Sequence, residues 1–384
     1  MKIAILGGGL SGCTLAYLLR NRGHKITLYE KQDKIGGLCQ EAKFSNGVRF
    51  HPFGPHIFHT SKPEVISFIK ELDVKIKEVK PKVKSYVEGK LVDYPINLET
   101  TIPQLKDKEL ILTELEKTKS LEFNPPKNFK EQVEQLMGPT LYDTFIRDYT
   151  TKQWGCKSQE LDTSFAPKRI YLNEKAGASL FSDTLQGYVS FNELFKKLTK
   201  GVDVQINKVF HENKLRELKT EFDLVISTIP IDKLFYNSVG LRLKYRQMIW
   251  THIPTTKTVY EDDFMCVNYP NKDVPYTRIA EMKKLTGQDC KESLLTLEIP
   301  GPSMSEQHYP FPDKMNSELF ERYLKCACIE DKVIMSGRLG LYVYLNMDEA
   351  ISVAIQSVEF IEKYKQLSSD ERFDFYMKLR QKNK

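Results

Sequence analysis

A glycine-rich turn near the N-terminus constrains this chain more than any other sequence feature. An apolar, β-branched run, KIAIL, leads directly into Gly7, Gly9 and Gly12, which stand in the order G-x-G-x-x-G. The next residues, CTLAYLLRNRG, carry apolar side chains at helical spacing and end at a glycine. A second strand pattern, ITLYE, then ends at Glu30. The stretch therefore predicts a β-α-β unit that binds a dinucleotide, since strand, turn, helix and acid all occur in register.

The residues of this unit have separate mechanical roles. Gly7 permits the tight turn, Gly9 lets the backbone approach a pyrophosphate, and Gly12 lets the helix pack close to the strand. The helix N-terminus attracts the phosphates, and Glu30 can accept hydrogen bonds from a ribose. The segment EKQDKIGG resembles the E-x(5)-GG signature of FAD proteins such as amine oxidases, and this favours FAD over NAD. The predicted cofactor contacts here are Gly7, Gly9, Leu10, Ser11, Gly12, Glu30, Lys31, Gly36, Gly37 and Leu38.

Length and composition exclude several other classes of protein. A chain of 384 residues predicts two or three domains. The net charge of +6 is small and is spread along the sequence, so we expect no nucleic-acid partner. No long apolar run predicts a membrane span, and the N-terminus lacks a signal-peptide pattern, so we expect a cytoplasmic protein. The seven cysteines are scattered, so we expect reduced thiols and no metal site.

The remaining chain alternates between helical and strand patterns. PEVISFIKEL and FKEQVEQLMGPTLYDTFIRDY predict helices, and VKSYVEGKLVDYPI predicts a hairpin that turns at Glu88-Gly89. DVQINKV and FDLVISTI return to strand pattern, and TKTVY, DFMCVNY, YTRIAEM and ESLLTLEI predict an antiparallel sheet. KVIMSGRLG predicts a last strand and loop before a long helix, MDEAISVAIQSVEFIEKYKQL. We expect the final residues, ERFDFYMKLRQKNK, to form a loosely attached tail.

These patterns predict an α/β protein with a Rossmann-like FAD-binding domain, an inserted helical domain and an antiparallel β-sheet domain. The FAD-binding domain is expected to be discontinuous and to comprise residues 1–62, 186–240 and 330–384. Residues 63–185 are expected to form the helical insert, and residues 241–329 the antiparallel sheet. The hairpin at 83–96 is compatible with membership of that sheet.

Several motifs outside the glycine turn resemble those of the prokaryotic UDP-galactopyranose mutases. They are HPFGPHIFHT, DYTTKQWG, APKRI, FSDTLQG, VPYTRIAE and SGRLGLYVYLNMD, and they occur in the family order from Met1 to about residue 360. The resemblance implies a flavin-dependent isomerase that interconverts the pyranose and furanose forms of a nucleotide-diphosphate sugar through a reduced-flavin N5 glycosyl adduct. It implies FAD in its reduced form, and NAD(P)H or another reductant to activate it. A role in furanose supply for capsule or lipopolysaccharide also follows, and a homodimer is compatible with the sequence.

The same resemblance assigns roles to individual positions. It implies that His56 and Arg278 are catalytic, the arginine contacting the substrate diphosphate and the histidine lying beside the flavin. The implied flavin contacts in this part of the chain are His56, Ile57, Arg338 and Met347. The implied substrate contacts are Tyr149, Trp154, Lys175, Arg278, Tyr309, Tyr344 and Asn346. Tyrosines and a tryptophan at such positions could equally pack in the protein core.

The departures from the family pattern lie in the implied substrate pocket. Asn173 stands where typical members carry a mobile-loop arginine, with Lys175 or Arg169 as a substitute, and Leu180 replaces a tyrosine. Leu345-Asn346 stands where Tyr-Asp is usual. These changes favour a substrate other than UDP-galactose, such as a GDP- or dTDP-linked deoxyhexose, heptose or pentose, while drift within a UDP-galactose enzyme remains open.

Two other functions remain compatible with the sequence. A flavin oxidoreductase of the amine-oxidase type shares the glycine turn and the E-x(5)-GG signature, but it has no need of the YTxKQWG motif. A flavin-binding protein without activity would also account for the altered pocket. An assay for a furanose product with reduced flavin separates these alternatives from a mutase.

Overall fold

The computed structural model describes residues 1–120, 124–163, 172–176, 181, 183–303 and 306–382. Its strands are Lys2–Leu6, Lys25–Tyr29, Ala42–Lys43, Arg49–Phe50, Phe58–Thr60, Ile76–Glu78, Val83–Val87, Lys90–Tyr94, Ile96–Asn97, Leu172–Asn173, Leu185–Val189, Asp203–Gln205, Leu224–Ser227, Tyr245–Thr255, Cys266–Asn268, Arg278–Glu281, Ser293–Pro302, Tyr309–Pro310 and Val333–Met335. Its α-helices are Leu10–Asn21, Pro63–Glu71, Lys108–Ser120, Phe129–Leu141, Arg147–Trp154, Phe191–Leu198, Glu212–Glu221, Ile231–Leu234, Tyr236–Val239, Met282–Thr286, Lys314–Ile329, Gly337–Gly340, Met347–Lys363 and Ser369–Lys382. Short 3₁₀ turns occupy Ile102–Gln104, Ser158–Glu160 and Tyr364–Gln366, and Tyr142–Ile146 is a π-helical segment.

A five-stranded parallel sheet carries the glycine turn. Lys2–Leu6 lies at its centre, between Lys25–Tyr29 and Leu224–Ser227, and the two outer strands are Asp203–Gln205 and Val333–Met335. The central strands are almost wholly apolar and buried, as expected for parallel strands that are covered on both faces. The first helix packs against Met347–Lys363, so the two ends of the chain meet at this sheet. The predicted α/β class with a Rossmann-like unit is confirmed.

A seven-stranded mixed sheet forms one wall of the site described below. Its order is Tyr309–Pro310, Tyr245–Thr255, Ser293–Pro302, Arg278–Glu281, Cys266–Asn268, Val83–Val87 and Lys90–Tyr94. Neighbours are antiparallel except for Cys266–Asn268 and Val83–Val87, which run parallel. The hairpin therefore forms the edge of this sheet, and its turn places Glu88 and Gly89 at positive φ.

One part of the strand prediction for this sheet is wrong. Residues 256–260 (TKTVY) form no strand, and the long strand lies just before them at Tyr245–Thr255. That strand pairs with Ser293–Pro302 over ten consecutive positions. Its sequence, YRQMIWTHIPT, mixes polar and apolar residues because much of it is only partly buried. Pairing with a neighbour, rather than local pattern, therefore decides this strand.

A helical segment, made of Lys108–Ser120, Phe129–Leu141 and Arg147–Trp154, packs against the mixed sheet through its last helix. The preceding helix kinks at Gly138, which lies at a φ of +81°, and continues through the π-helical segment. Arg246 comes from the mixed sheet, where its Nε donates to the Gln153 carbonyl at 2.9 Å and its Nη2 to the Lys152 carbonyl at 3.0 Å. These bonds satisfy carbonyls that would lack partners at the helix end. They also fix the helical wall relative to the sheet.

The expectation of a loosely attached C-terminal tail is wrong. Residues Ser369–Lys382 form a helix, in which Arg372, Tyr376, Leu379 and Arg380 are buried. The hydroxyl of Tyr376 accepts a hydrogen bond from the Met335 backbone N–H at 3.0 Å, so the helix packs on the last strand of the parallel sheet. The sequence did not indicate this packing, because two of the buried residues are arginines and the mean hydropathy of the helix is low. Among the described helices, none is both long and apolar enough for a membrane crossing.

Candidate functional site

The glycine turn has the backbone geometry that a pyrophosphate requires. The helix Leu10–Asn21 starts after Gly9, which has extended φ and ψ and no side chain to cap the helix. A Cβ built on Gly9 would meet only the Cα of Gly37, at 4.0 Å. A Cβ on Gly12 would instead lie 2.0 Å from the carbonyl oxygen of Gly7, so Gly12 allows close packing within the protein. The space in front of Gly9 is therefore open, and the first N–H groups of the helix face it.

The glycine pair Gly36-Gly37 lies against the glycine turn. The Gly36 N–H donates to the Gly8 carbonyl at 2.8 Å, and Gly9 and Gly36 form a parallel bridge. Glu30 is buried, and its two oxygens accept hydrogen bonds from the N–H groups of Gly8 (2.7 Å) and Gln32 (2.9 Å). The carboxylate is thus held rigidly and retains lone pairs for a ribose hydroxyl. The residues present fit the ADP half of a dinucleotide.

A cavity of about 300 Å³ is lined by the mixed sheet, by the helical segment, and by residues within 53–59 and 338–347. Predicted site residues from distant parts of the chain lie together around this cavity. Of the predicted residues, the cavity is lined by His56, Ile57, Tyr149, Trp154, Arg278, Tyr309, Arg338, Tyr344, Asn346 and Met347. The convergence of aromatic and charged side chains in one concave space is typical of a ligand site.

A row of side chains crosses the mixed sheet and faces this cavity. In the strand registers, Glu298 lies opposite both Trp250 and Arg278, and Asn268 lies opposite both Arg278 and Ser85. All five residues line the cavity. Side chains that are directly paired across a sheet point to the same face. The sheet therefore presents four polar groups in line, next to a tryptophan.

Arg278 occupies the centre of this row. Its Nε lies 3.7 Å from Oε2 of Glu298, and its Nη2 donates to the hydroxyl of Tyr149 at 3.4 Å. The nearby Glu298 carboxylate is the main reason that the pKa of Arg278 lies well above its ordinary value, although burial opposes this. The Arg278 side chain is still 31% accessible, so part of the guanidinium faces the cavity. A permanently charged planar donor group in this position can bind a diphosphate.

His56 also lines the cavity and lies in the loop before Phe58–Thr60. Its Nδ1 lies 2.8 Å from the Gly54 carbonyl and, since a carbonyl only accepts, Nδ1 carries the proton. Burial lowers the pKa of His56 to about 4, and the charges of Arg338 and Arg278 add to this effect. The imidazole is therefore neutral at pH 7, with Nε2 available as an acceptor.

Arg338, Tyr309 and Tyr344 form a compact group, which we call the tyrosine clamp. The two tyrosine rings lie nearly parallel with centroids 5.9 Å apart, and the Arg338 guanidinium carbon lies 5.2 and 5.0 Å from them. Arg338 Nη2 donates to the Leu345 carbonyl at 2.6 Å. The next residue, Asn346, caps the helix Met347–Lys363 together with Glu349. The clamp thus combines two phenol groups, a cation and a helix N-terminus at one edge of the cavity.

The helical segment supplies the third wall. Tyr149 and Trp154 both line the cavity, but Trp154 is only 4% exposed and packs edge-on against Phe311. Lys152 of the same motif faces away, and its Nζ donates to the carbonyls of Tyr269 (2.6 Å) and Tyr276 (2.8 Å). The motif therefore anchors the helix as well as lining the cavity.

Some predicted residues are not brought to the cavity. Lys175 is exposed and is not among the lining residues, and the neighbouring Asn173 pairs in a short strand with Asn97. Lys31 is exposed and forms an ion pair with Glu306. Arg169 and Leu180 lie outside the described residues. Among the described residues that line the cavity, the lysine and arginine side chains are those of Arg278 and Arg338.

Three lining or supporting residues were not predicted from the sequence. Glu298 was not singled out, although its strand pattern was predicted, because its pairing with Arg278 depends on register. His59 lines the cavity with its ring stacked on Phe181 at 3.8 Å, and its Nδ1 lies 2.8 Å from Oδ2 of Asp183. His51 is fully buried, and its Nδ1 accepts the backbone N–H of His56 at 3.2 Å. The two histidines in HPFGPHIFHT that flank His56 were the available signal.

Comparisons with known proteins agree with this arrangement. The family model described as UDP-galactopyranose mutase matches residues 144–344. This range includes the helix Arg147–Trp154, the tyrosine clamp and four of the five residues in the row across the mixed sheet, which we call the polar row; Ser85 lies outside it. A second model, described as an NAD(P)-binding Rossmann-like domain, matches residues 5–72 and covers the glycine turn.

Curated relatives and solved structures match over nearly the whole chain. A dTDP-fucopyranose mutase of Escherichia coli is 29% identical over 94% of this chain and 98% of its own length. A UDP-galactopyranose mutase of Mycoplasma genitalium is 28% identical over 93% and 94%. A crystal structure of reduced UDP-galactopyranose mutase superposes with a TM-score of 0.77 at 18% identity, covering 97% of this chain and 95% of that one. A putrescine oxidase variant shares the fold at a TM-score of 0.60 and 12% identity, covering 94% and 98%.

Proposed function

Since the chain belongs to the UDP-galactopyranose mutase family, we propose that it is an FAD-dependent isomerase that interconverts the pyranose and furanose forms of a nucleotide-diphosphate sugar. The observation that carries this proposal is the position of Arg278 in the polar row, facing a cavity that the tyrosine clamp and His56 also line. An amine-oxidase-type enzyme shares the fold but has no need of an arginine and two tyrosines that face one cavity.

The proposed cofactor is FAD, active in its reduced form, which supplies the nucleophile for the anomeric carbon when bound. The glycine turn and Glu30 would hold its ADP half, because they form an open backbone cradle and a fixed carboxylate. His56, Arg338 and Met347 would contact its ring system. A neutral His56 with a free Nε2 can accept a hydrogen bond without adding positive charge.

The proposed substrate contacts divide between the walls of the cavity. Arg278 and the tyrosine clamp would hold the diphosphate, which is the leaving group and must be retained until it recombines with the sugar. Tyr149, at the end of the helical wall nearest Arg278, would contact the nucleotide. Trp154 would support this wall through its packing on Phe311. Glu298 would orient Arg278 through the ion pair, which makes it a positioning residue.

The altered side of the pocket favours a nucleotide sugar other than UDP-galactose. Asn173 stands where typical members carry a loop arginine, and Lys175, the candidate substitute, lies outside the cavity, so one positive charge of the family pattern is lost from the described site. Asn346, where an acid is usual, also changes the charge of the pocket. One charge-assisted phosphate contact contributes about 1.5–3 kcal/mol. Its loss would weaken UDP-galactose binding by about ten- to hundredfold unless another ligand part compensates. The dTDP-fucose relative makes a dTDP-linked 6-deoxyhexose the first candidate to test.

The test is a product assay with the dithionite-reduced, FAD-loaded enzyme. UDP-galactopyranose, dTDP-fucopyranose and a GDP-linked hexose are supplied separately, and furanose products are separated by chromatography. We expect many turnovers without stoichiometric use of reductant, and no turnover by the oxidised enzyme. Oxygen or NAD(P)H consumption coupled to product would contradict the isomerase. If UDP-galactopyranose gave the highest kcat/KM of the three substrates, the proposed change of specificity would be wrong, but the isomerase function would stand.

A further inference from the structure

Tyr342 connects the two tyrosines of the clamp. Its hydroxyl accepts the Phe311 backbone N–H at 3.1 Å and donates to the Lys244 carbonyl at 2.5 Å. Phe311 follows Tyr309 by two positions, and Tyr344 follows Tyr342 by two positions. The Tyr342 ring is buried and packs on Tyr245 and Phe320. One side chain therefore fixes the backbone on both sides of the clamp.

The backbone of Tyr342 needs external support. Its φ is +47°, a left-handed conformation that costs a side-chain-bearing residue about 1 kcal/mol. Its carbonyl oxygen accepts a hydrogen bond from Nη2 of Arg380 at 3.3 Å, on the C-terminal helix. Arg380 is only 2% exposed, its guanidinium carbon lies 4.1 Å from the Phe320 ring centroid, and its Nε has no hydrogen-bond partner in the described part of the chain. Burial is costly for a guanidinium and lowers the pKa of Arg380 to about 10, although the charge of Glu321 opposes this. The hydrogen bond to the Tyr342 carbonyl offsets part of that cost.

We propose that Tyr342 and Arg380 are positioning residues for the tyrosine clamp, and that the C-terminal helix thereby sets the affinity for the nucleotide diphosphate. Arg380 holds the Tyr342 carbonyl in the strained turn, and the Tyr342 hydroxyl joins that turn to the strand that carries Tyr309. The spacing of the two clamp tyrosines follows from these contacts. This inference rests on the proposed function, since it takes the clamp to contact the diphosphate.

The test measures ligand binding and stability side by side. Tyr342→Phe keeps the ring packing and removes only the hydroxyl. The matched control is Tyr364→Phe, because Tyr364 is also fully buried and donates to the Val333 carbonyl at 2.6 Å, but lies outside the cavity lining. Dissociation constants of UDP and dTDP are measured by calorimetry with the FAD-loaded enzyme, together with Tm. We expect Tyr342→Phe to raise the Kd about five- to tenfold, and Tyr364→Phe to lower Tm without changing the Kd.

A second variant addresses the arginine. Arg380→Met should raise the Kd and the KM more than it changes kcat, while Arg380→Lys should restore part of the affinity because it can still donate to the Tyr342 carbonyl. If Arg380→Met does not fold, Arg380→Lys tests the arginine, because loss of the guanidinium fork should still raise the Kd; an unchanged Kd in that variant would overturn the role of the C-terminal helix. An unchanged Kd in Tyr342→Phe, with a Tm loss equal to the control, would overturn the proposal. Failure of the proposed function is recognised separately, because Tyr309→Phe and Tyr344→Phe would then also leave the Kd unchanged.

Discussion

Replacing Gly9 with alanine separates cofactor binding from folding. The Gly9 backbone has a φ of −77°, which alanine adopts without strain, and the added Cβ would lie 4.0 Å from its nearest described neighbour. The protein therefore accommodates the methyl group, but the pyrophosphate would have to approach the same space. Forcing one extra carbon into a packed contact costs about 1–3 kcal/mol, which corresponds to about a 5- to 150-fold rise in the Kd for FAD.

The assay is fluorescence titration of the deflavinated protein with FAD, together with the unfolding free energy of the apoprotein. Gly12→Ala and Gly23→Ala are the controls. At Gly12 the new Cβ would lie 2.0 Å from a carbonyl oxygen, so folding itself should suffer. At Gly23 the φ is +82° in open space, so stability should fall by about 1 kcal/mol with unchanged FAD affinity. Wild-type FAD affinity in Gly9→Ala would refute the placement of the pyrophosphate.

Three further predictions follow from the site and its supports. Arg278→Lys should lower kcat/KM for the preferred nucleotide sugar by about 10- to 150-fold, because an ammonium cannot reach both Glu298 and the diphosphate; steady-state rates within threefold of wild type would contradict this. Burial lowers the pKa of His56 and of His308 to about 4, whereas both histidines titrate near 6.5 in the unfolded chain. Between pH 6.5 and pH 4 the unfolded chain therefore binds more protons than the folded protein. The unfolding free energy should fall by about 1.4 kcal/mol per histidine for each pH unit as the pH drops through this range. Urea unfolding at pH 7 and pH 5 checks this, and His308→Gln should reduce the slope; a flat profile would contradict it. Tyr376→Ala should cost about 3–5 kcal/mol of stability because the ring is buried under the last parallel strand, and a loss below 1 kcal/mol in thermal or urea unfolding would restore the idea of a loose tail.

Much of the fold was predictable from local sequence patterns. The first strand, the glycine turn and the following helix were predictable because each depends on residues that are neighbours in sequence. Gly12, for example, packs against the carbonyl of Gly7, which lies only five positions before it. The hairpin at Val83–Val87 and Lys90–Tyr94 was predictable for the same reason, since Glu88-Gly89 form its turn. The strand Tyr245–Thr255 was missed because it is partly exposed and is stabilised by pairing with a segment about fifty residues away.

The candidate site shows the same division. Arg278, His56, Tyr309 and Tyr344 were identified from motifs, and the structure brings all four to one cavity. Glu298 was missed because only the register between two strands places it beside Arg278. Lys175 was predicted from its proximity in sequence to Asn173, but it is exposed and lies outside the cavity lining.

The sequence by itself determined the dinucleotide turn, the α/β class and the family, because these depend on residue types at short, fixed spacings. Only the tertiary structure decided which side chains share a surface. The polar row from Trp250 to Ser85 joins residues from five separate strands, and it exists because paired strands align their side chains on one face. The C-terminal helix gave no motif, yet Arg380 reaches the Tyr342 carbonyl and through it the clamp. Such contacts arise from packing of distant segments, for which no local pattern of residues is required.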